Sequence, residues 1–205
     1  MKMKSKNDEV EILDTLRPDL EESEKVYKVR ITGRPPGILM HNIEGMMKQM
    51  SASSVRKRNQ KPTFQEDAEN SAYRMKSGEL YIPSKVMYGC IVNGGKGAKI
   101  GKFGAMGILA TIRIFPMQIP LGTNDYEIDV QMAVVQHARI PRARPLIREW
   151  AIEFYVVFDS NYMRAEDLES IIKDAGKKVG ILDFRPQHRG PYGTFKVESF
   201  EEVKS

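Results

Sequence analysis

The sequence has one cysteine and three histidines among its 205 residues. Cys90 therefore has no partner for an internal disulfide, and three histidines offer little material for a zinc site. We expect no bound metal and no cofactor. Cys90 lies between Gly89 and Ile91 in an apolar run, which predicts a buried packing residue rather than a reactive thiol.

The chain also lacks a long apolar segment. No stretch approaches the roughly 18–20 apolar residues that a membrane span needs. Met1–Asp14 alternates lysines with acids and has no apolar centre of a secretory signal. We therefore expect a cytoplasmic protein with no membrane partner.

Charge is abundant and unevenly distributed. The net charge is +5, but Met1–Lys25 carries eight acidic and five basic residues, and Glu198–Ser205 carries three acidic and one basic. The stretch between these ends therefore has a net charge of +10. A basic body between acidic ends indicates an anionic partner such as nucleic acid. The alternative is a charge excess that only keeps the protein soluble.

Hydrophobic periodicity predicts a mixed architecture. Strands are predicted at 26–32, 80–82, 107–115, 126–136, 150–158 and 194–198. Helices are predicted from Phe64 to about Lys76, where Thr63 and Glu66 have capping-box spacing, from Ser84 to Asn93, and through Leu168–Ala175 with Gly176 as the stop.

The order of the strongest elements, β, α, β, β, α, β, predicts the fold class α+β. It is the order of a ferredoxin-like fold of the RNA-recognition-motif type. We expect one such domain at residues 26–200, with insertions at 34–79 and 116–147. An acidic flexible arm (1–25) precedes it, and a short tail (201–205) follows it.

A glycine-rich basic segment covers residues 94–104. Its spacing excludes a P-loop, because Lys96 stands where the first glycine is required and Phe103 follows Lys102 in place of Ser or Thr. The lysines at 96, 99 and 102 can contact successive phosphates without reading sequence. A solvated loop is the alternative.

Four arginines, Arg139, Arg142, Arg144 and Arg148, lie on a segment with two prolines. Guanidinium groups match phosphate oxygens and stack on bases, so this segment is predicted to follow a nucleic-acid backbone. Alternatively, some of these arginines form surface ion pairs with Glu149, Glu153 or Asp159.

Two further segments are candidates for nucleic-acid contact. Residues 179–195 combine closely spaced glycines with charges and stacking faces, namely Phe184, Arg185, His188, Arg189 and Tyr192. Alternatively, residues 179–195 form only a hairpin-like connection that packs on the aromatic side chains of the same segment. The polar loop at 49–62 carries Arg56, Lys57, Arg58 and Lys61, and it can either close over a bound strand or remain solvated.

Catalytic patterns are few. The histidines show no HxH or HExxH spacing, and His41 is expected to be a satisfied structural residue. Glu44, Asp125, Asp129 and Asp183 form a metal site only if the fold brings them together. These observations favour a non-catalytic protein.

Three segments resemble the RAMP superfamily of CRISPR effector subunits. Val29–Asn42 is similar to the family's first strand with its proline-containing exit. Residues 78–89 are similar to its "YIPGSSLKG" segment, with Lys85 and Val86 in place of the two serines. Residues 175–195 are similar to its glycine-rich loop, although Ile181–Phe184 is bulkier than usual.

This resemblance implies a ferredoxin-like RNA-binding subunit of antiviral defence, or a viral or mobile-element relative of one. Backbone subunits of the family imply polymerisation along a guide RNA, with the loop near Arg56 as a thumb-like clamp. Processing endoribonucleases of the family imply cleavage, for which His41 is the one candidate catalytic residue.

The leading hypothesis is a non-catalytic, sequence-independent binder of single-stranded RNA or DNA. It would act as a homo-oligomer or within a multi-subunit ribonucleoprotein. Three alternatives remain open: a phage or plasmid protein that binds and anneals single-stranded DNA, an endoribonuclease, and a structural virion or assembly protein.

Overall fold

The computed structural model describes residues 19–45, 47, 63–135 and 138–203. The strands are β1 (Glu24–Gly33), β2 (Ile38–Leu39), β3 (Tyr81–Pro83), β4 (Lys99–Ile100), β5 (Phe103–Gly104), β6 (Arg113–Phe115), β7 (Gln118–Pro120), β8 (Glu127–Val135), β9 (Ala138–Ile147), β10 (Ala151–Asp159) and β11 (Phe195–Glu202). The helices are α1 (Phe64–Ser71), α2 (Ser84–Gly94), α3 (Ala105–Leu109) and α4 (Ala165–Lys178). A 3₁₀ turn covers Pro186–His188.

A four-stranded antiparallel sheet in the order β11-β1-β10-β6 forms the centre of the fold. Helix α2 connects β1 to β6, and helix α4 connects β10 to β11. The resulting βαββαβ arrangement is ferredoxin-like. The fold class predicted from the sequence is therefore confirmed.

The main core lies between this sheet and the two helices. Alternate residues of β1 and β10, among them Val29, Ile31 and Phe154, are fully buried there. The two helices approach closely at Gly94, where an added Cβ would lie 2.5 Å from the Cβ of Ala175. A glycine is required at this crossing.

Helix α4 buries the predicted stripe of apolar residues but ends later than predicted. Leu168, Ile171, Ile172 and Ala175 are buried. Gly176 does not stop the helix, which continues to Lys178. A Cβ on Gly176 would lie 2.6 Å from the carbonyl oxygen of Phe195, so this glycine allows β11 to pack on the helix.

The structure corrects two other predicted elements. Residues 107–115 do not form one strand, because Ala105 and Leu109 are buried as the apolar side of helix α3 and only Arg113–Phe115 is extended. Helix α1 has the predicted capping box between Thr63 and Glu66 but ends at Ser71, because Ala72 is extended.

The outer face of the sheet is closed by ion pairs and a small apolar cluster. Arg30 and Lys28 both pair with Glu153. Val26, Tyr155 and Val157 form a second buried cluster on this face, against which Leu20, Phe115 and Val203 pack. This face is therefore already occupied by its own side chains.

The residues outside the four-stranded sheet and its helices build smaller sheets. β3 pairs with β7, and β2 pairs with β9, which in turn forms a long hairpin with β8. The arginine-rich segment is therefore a strand, which was not predicted. No helix within the described ranges is long and apolar enough to cross a membrane.

Strand β9 accommodates its two prolines because their nitrogens point away from β8. The Ala143 N–H donates to Asp67 Oδ2 of helix α1 at 2.9 Å, on the edge opposite β8. Pro141 and Pro145 lie two residues on either side of Ala143, so their nitrogens face the same edge. Neither proline removes a hydrogen bond of the β8–β9 ladder.

Candidate nucleic-acid interface

A half-open cleft of about 260 Å³ lies where the chain leaves β2. Three separate segments form its walls: the end of β2, one side of helix α2, and the loop after helix α4. The lining residues are His41, Ile43, Tyr73, Lys85, Val86, Gly89, Cys90, Asn93, Gly180, Ile181, Leu182, Asp183 and Arg185.

The loop wall is held by backbone hydrogen bonds to β2 and its turn. The Asp183 N–H donates to the Leu39 carbonyl at 3.1 Å, and the Gly193 N–H donates to the Gly37 carbonyl at 2.8 Å. Within the loop, Ile181 N–H donates to the Gly193 carbonyl at 2.9 Å. The glycine-rich segment is thus fixed against the core.

The helical wall presents Lys85, Gly89 and Asn93. These residues are four apart, so they lie on one side of helix α2. A Cβ added at Gly89 would meet no atom within 4 Å, so the packing of the fold does not require a glycine there. A glycine inside a helix costs roughly 0.5–1 kcal/mol relative to alanine. Its missing side chain leaves the helix backbone open to a ligand in the cleft.

His41 lies in the cleft with one ring nitrogen unpartnered. Its backbone carbonyl accepts a hydrogen bond from the Tyr73 hydroxyl at 3.1 Å, but Nδ1 is buried without a hydrogen-bond partner among the described residues. The predicted role of a satisfied structural histidine stays a prediction, from which this one ring nitrogen departs. Burial lowers the pKa of His41, although the nearby Asp183 carboxylate opposes this shift.

Three of the four arginines of the β9 segment form ion pairs. Their partners are not the predicted Glu149, Glu153 and Asp159, because β9 folds back onto β8, helix α1 and the glycine-rich loop. The pairs are Arg142 with Asp67 at 3.3 Å, Arg144 with Asp183 at 3.1 Å, and Arg148 with Glu127 at 2.8 Å. Arg139 is exposed and forms no ion pair with the described residues.

The candidate side chains of the glycine-rich loop have different surroundings. Arg185 donates to the Leu182 carbonyl at 2.6 Å and to Gln187, at the mouth of the cleft. The rings of Phe184 and Tyr192 are 6.1 Å apart, and the Tyr192 hydroxyl accepts from Gln131. His188 and Arg189 are exposed.

Of the remaining candidate lysines and arginines, three do not line the cleft and the other four lie outside the described residues. Lys96, Lys99 and Lys102 are exposed around the short β4–β5 hairpin, beyond the end of helix α2. Arg56, Lys57, Arg58 and Lys61, the predicted thumb-like clamp, lie outside the described residues.

Carboxylates do not gather into a metal site. Across the described ranges, no group of three or more His, Cys, Asp or Glu side chains is placed to hold a metal ion. Glu44, Asp125, Asp129 and Asp183 therefore do not form the metal site that the sequence left open.

Several cleft residues were missed in the sequence. Lys85, Gly89 and Asn93 recur at a spacing of four after a predicted helix start, and this spacing was a usable signal. Tyr73 has no such signal, because a turn outside regular structure brings it to the cleft.

Comparison with known proteins shows a distant structural likeness. No family model matches the sequence, and no curated protein matches it. A chain in the "Cryo-EM structure of the Type III-B Cmr-beta bound to cognate target RNA" is similar, with a TM-score of 0.57 and 15% identity over 97% of this chain and 66% of that chain. This protein thus spans about two thirds of that chain's length.

At this identity the likeness shows a shared fold. It agrees with the ferredoxin-like arrangement of β1, α2, β6, β10, α4 and β11. The resemblance to the RAMP superfamily stays a prediction, because no family model matches the sequence.

Proposed function

We propose that this protein binds single-stranded RNA without catalysis and independently of sequence. The observation that carries the proposal is the cleft, whose helical wall is left open at Gly89 although no packing contact needs a glycine there. The shared fold with a chain from a structure bound to target RNA supports RNA as the ligand.

The charges around the cleft fit a phosphate backbone. Lys85 and Arg185 line it, and Arg189 lies exposed on the same loop as Arg185. Lys85 is 3.7 Å from Glu44, and both side chains are exposed, so a phosphate can displace this pair at little cost. Cations on the rim give affinity without base reading.

The cleft favours a single strand over a duplex. It is small and partly open, and apolar side chains such as Ile43 and Val86 line it beside the polar ones. An unpaired base can enter such a space, whereas a duplex holds its bases paired and stacked inside. The outer sheet face is a poorer site, because Glu153 already pairs with its cations.

The proposal is tested by fluorescence anisotropy with labelled single-stranded RNA, single-stranded DNA and duplex DNA over a salt series. We expect tight binding to RNA with a negative slope of log K against log salt, about 0.7 per phosphate contact. Gly89→Leu fills the cleft and should weaken binding about 10-fold or more, equivalent to roughly 1.4 kcal/mol.

Two controls separate a blocked cleft from a damaged fold. Gly89→Ala should raise the free energy of unfolding by about 0.5–1 kcal/mol. Arg30→Gln removes one positive charge from the outer sheet face and should leave RNA affinity unchanged. Equal binding by wild type and Gly89→Leu, or no binding to any nucleic acid at low salt, would contradict the proposal.

Cleavage of RNA is a second candidate function, favoured by one observation. His41 lines the cleft, and burial lowers its pKa, so its imidazole is neutral at pH 7 and able to accept a proton. It would take the proton of a ribose 2′-hydroxyl, whose oxygen attacks the adjacent phosphorus. The 5′-oxygen would leave and take a proton from water, giving a 2′,3′-cyclic phosphate.

This second function predicts cutting of end-labelled RNA in the presence of EDTA, with loss of cutting in His41→Ala. RNA that stays intact through prolonged incubation with saturating wild-type protein would rule it out. Binding without cutting would leave the first proposal in place.

We also propose that the protein works within an assembly of several subunits. Val130 and Met132 lie on one face of the β8–β9 hairpin and are 44% and 62% exposed. Adjacent exposed apolar side chains on one strand are typical of protein contacts. Light scattering with RNAs of increasing length should show a mass that grows with length, and Met132→Glu should reduce it. A protein that stays monomeric on every RNA would contradict this.

A further inference from the structure

The β4–β5 hairpin exposes an aromatic side chain that the fold does not use. Ile100 pairs with Phe103 across a turn at Gly101–Lys102, where Gly101 has φ +60°. Ile100 is 7% exposed and anchors the hairpin, whereas Phe103 is 71% exposed. The hairpin thus presents the ring of Phe103 to solvent.

Unpaired positive charge surrounds this ring. Lys96, Lys99 and Lys102 are exposed, and none of them forms an ion pair with an acidic side chain of the described residues. Other exposed cations do have a carboxylate partner, such as Lys85 with Glu44 and Arg148 with Glu127. The charge of the hairpin is therefore available to an anionic ligand.

Two glycines that follow Phe103 closely in the sequence, Gly104 and Gly107, leave the backbone open. A Cβ at Gly104 or Gly107 would meet no atom within 4 Å, and neither residue has a positive φ. Gly89 in the cleft shares this property. At these positions neither packing nor backbone conformation requires glycine, and each lets a ligand approach the main chain closely.

The hairpin lies next to one end of the cleft. Asn93 lines the cleft, and its carbonyl accepts a hydrogen bond from the Lys96 N–H at 3.1 Å. Helix α3, which follows the hairpin, is joined to helix α2 by a hydrogen bond of 3.1 Å from the Tyr88 hydroxyl to the Ala110 carbonyl. The segment that leads into the hairpin therefore begins beside a residue that lines the cleft.

We propose that the β4–β5 hairpin is a second contact for the same RNA strand, in which Phe103 stacks on an unpaired base while Lys99 and Lys102 contact phosphates. This inference rests on the proposed RNA binding. An aromatic ring flanked by cations matches the two chemical faces of a single strand, the base and the phosphate. An acidic protein would form ion pairs with the lysines, but it offers no base on which the exposed ring of Phe103 could stack.

The test compares Phe103→Ala with wild type on a single-stranded RNA of about 12 nucleotides. Loss of one stacked base should weaken binding roughly 5- to 100-fold, with an unchanged slope of log K against log salt. Replacing Lys99 and Lys102 with glutamine should instead lower that slope by about 0.7 for each lysine. Phe103→Tyr keeps a stacking ring and should bind like wild type.

RNA length separates the hairpin from the cleft. An oligonucleotide of about three nucleotides that is bound in the cleft should leave no base for Phe103, so wild type and Phe103→Ala should bind it equally. Phe103→Trp gives a direct signal, because a stacked base quenches an exposed indole while Trp150, which is 6% exposed, gives a constant background.

The outcomes distinguish the two proposals. Equal affinities of wild type and Phe103→Ala for the longer RNA, with no quenching in Phe103→Trp, would overturn the role of the hairpin and leave the cleft as the binding site. Absence of RNA binding by wild type would overturn the proposed function itself.

Discussion

Arg144 Nη1 of strand β9 lies 3.1 Å from Asp183 Oδ2 of the glycine-rich loop, and the two side chains are only 15% and 29% exposed. The contact is electrostatic rather than a well-aligned hydrogen bond, since Asp183 Oδ2 accepts none from the described residues. Arg144→Met leaves the carboxylate half-buried and unpaired. We expect a loss of about 1–3 kcal/mol in the free energy of unfolding, measured by urea denaturation.

The double variant Arg144→Met/Asp183→Asn supplies the control for this pair. Because it removes both charges, it should recover part of the stability that Arg144→Met loses. The loss of unfolding free energy in the double variant is compared with the sum of the losses in Arg144→Met and Asp183→Asn. If the two are equal, the ion pair does not hold the loop against β9.

The Cys90 thiol should react slowly with thiol reagents in the folded protein. Burial raises its pKa to about 12, so little thiolate exists at neutral pH. Since Cys90 is the single cysteine, labelling with a chromogenic disulfide reports on this site alone. Its rate should rise to that of a free thiol in concentrated urea and fall further when RNA fills the cleft. Fast labelling without urea would contradict the burial.

His41 should make the protein less stable in mild acid. Its folded pKa is lowered by burial below the ordinary value of 6.5, an effect that Arg144 and Arg142 reinforce and that Asp183 and Asp67 oppose. Below about pH 6.5 the unfolded chain therefore takes up a proton that the folded protein does not, and the free energy of unfolding decreases as the pH falls.

Urea denaturation at pH 7.5 and 5.5 measures this loss. The decrease in the free energy of unfolding between pH 7.5 and pH 5.5 should be smaller in His41→Gln than in wild type, because the variant has no imidazole to protonate at this position. A pH dependence identical in the two proteins would exclude His41 as its source.

The Tyr126 hydroxyl should contribute to stability through Glu69. It donates to the Glu69 carboxylate at 2.6 Å, while Arg74 lies 5.5 Å from the centre of the ring. Tyr126→Phe removes the hydrogen bond and keeps the ring, so we expect a loss of about 0.5–1.5 kcal/mol. Burial and the Glu69 carboxylate raise the pKa of Tyr126 to about 12. Alkaline absorbance titrations of the two proteins should therefore differ only at very high pH.

The sequence predicted the central fold because its strongest elements bury one regular face. The alternate residues Ile152, Phe154, Val156 and Phe158 of β10 and the helically spaced Leu168, Ile171 and Ile172 of α4 all lie in the main core. Helix ends were less predictable. Gly176 has the identity of a helix stop but is needed for contact with Phe195, which only the fold reveals.

The candidate site was less predictable because contacts between distant segments decide which charges remain free. The arginines at 142, 144 and 148 looked equivalent to Arg139 in the sequence, but strand β9 brings each of them to a carboxylate. Conversely, the spacing of Lys85 and Gly89 places them on one side of a helix, but only the fold shows that the glycine-rich loop lies opposite them.

The order of the cleft walls along the chain governs when a newly made molecule can form the proposed binding cleft. His41 and Lys85 leave the ribosome well before residues 180–185 are synthesised, and until then no wall stands opposite helix α2. A nascent chain that ends before Gly193 also lacks the anchor to Gly37. Such a chain lacks the complete cleft, so under the proposed function RNA could load only after Gly193 has been synthesised.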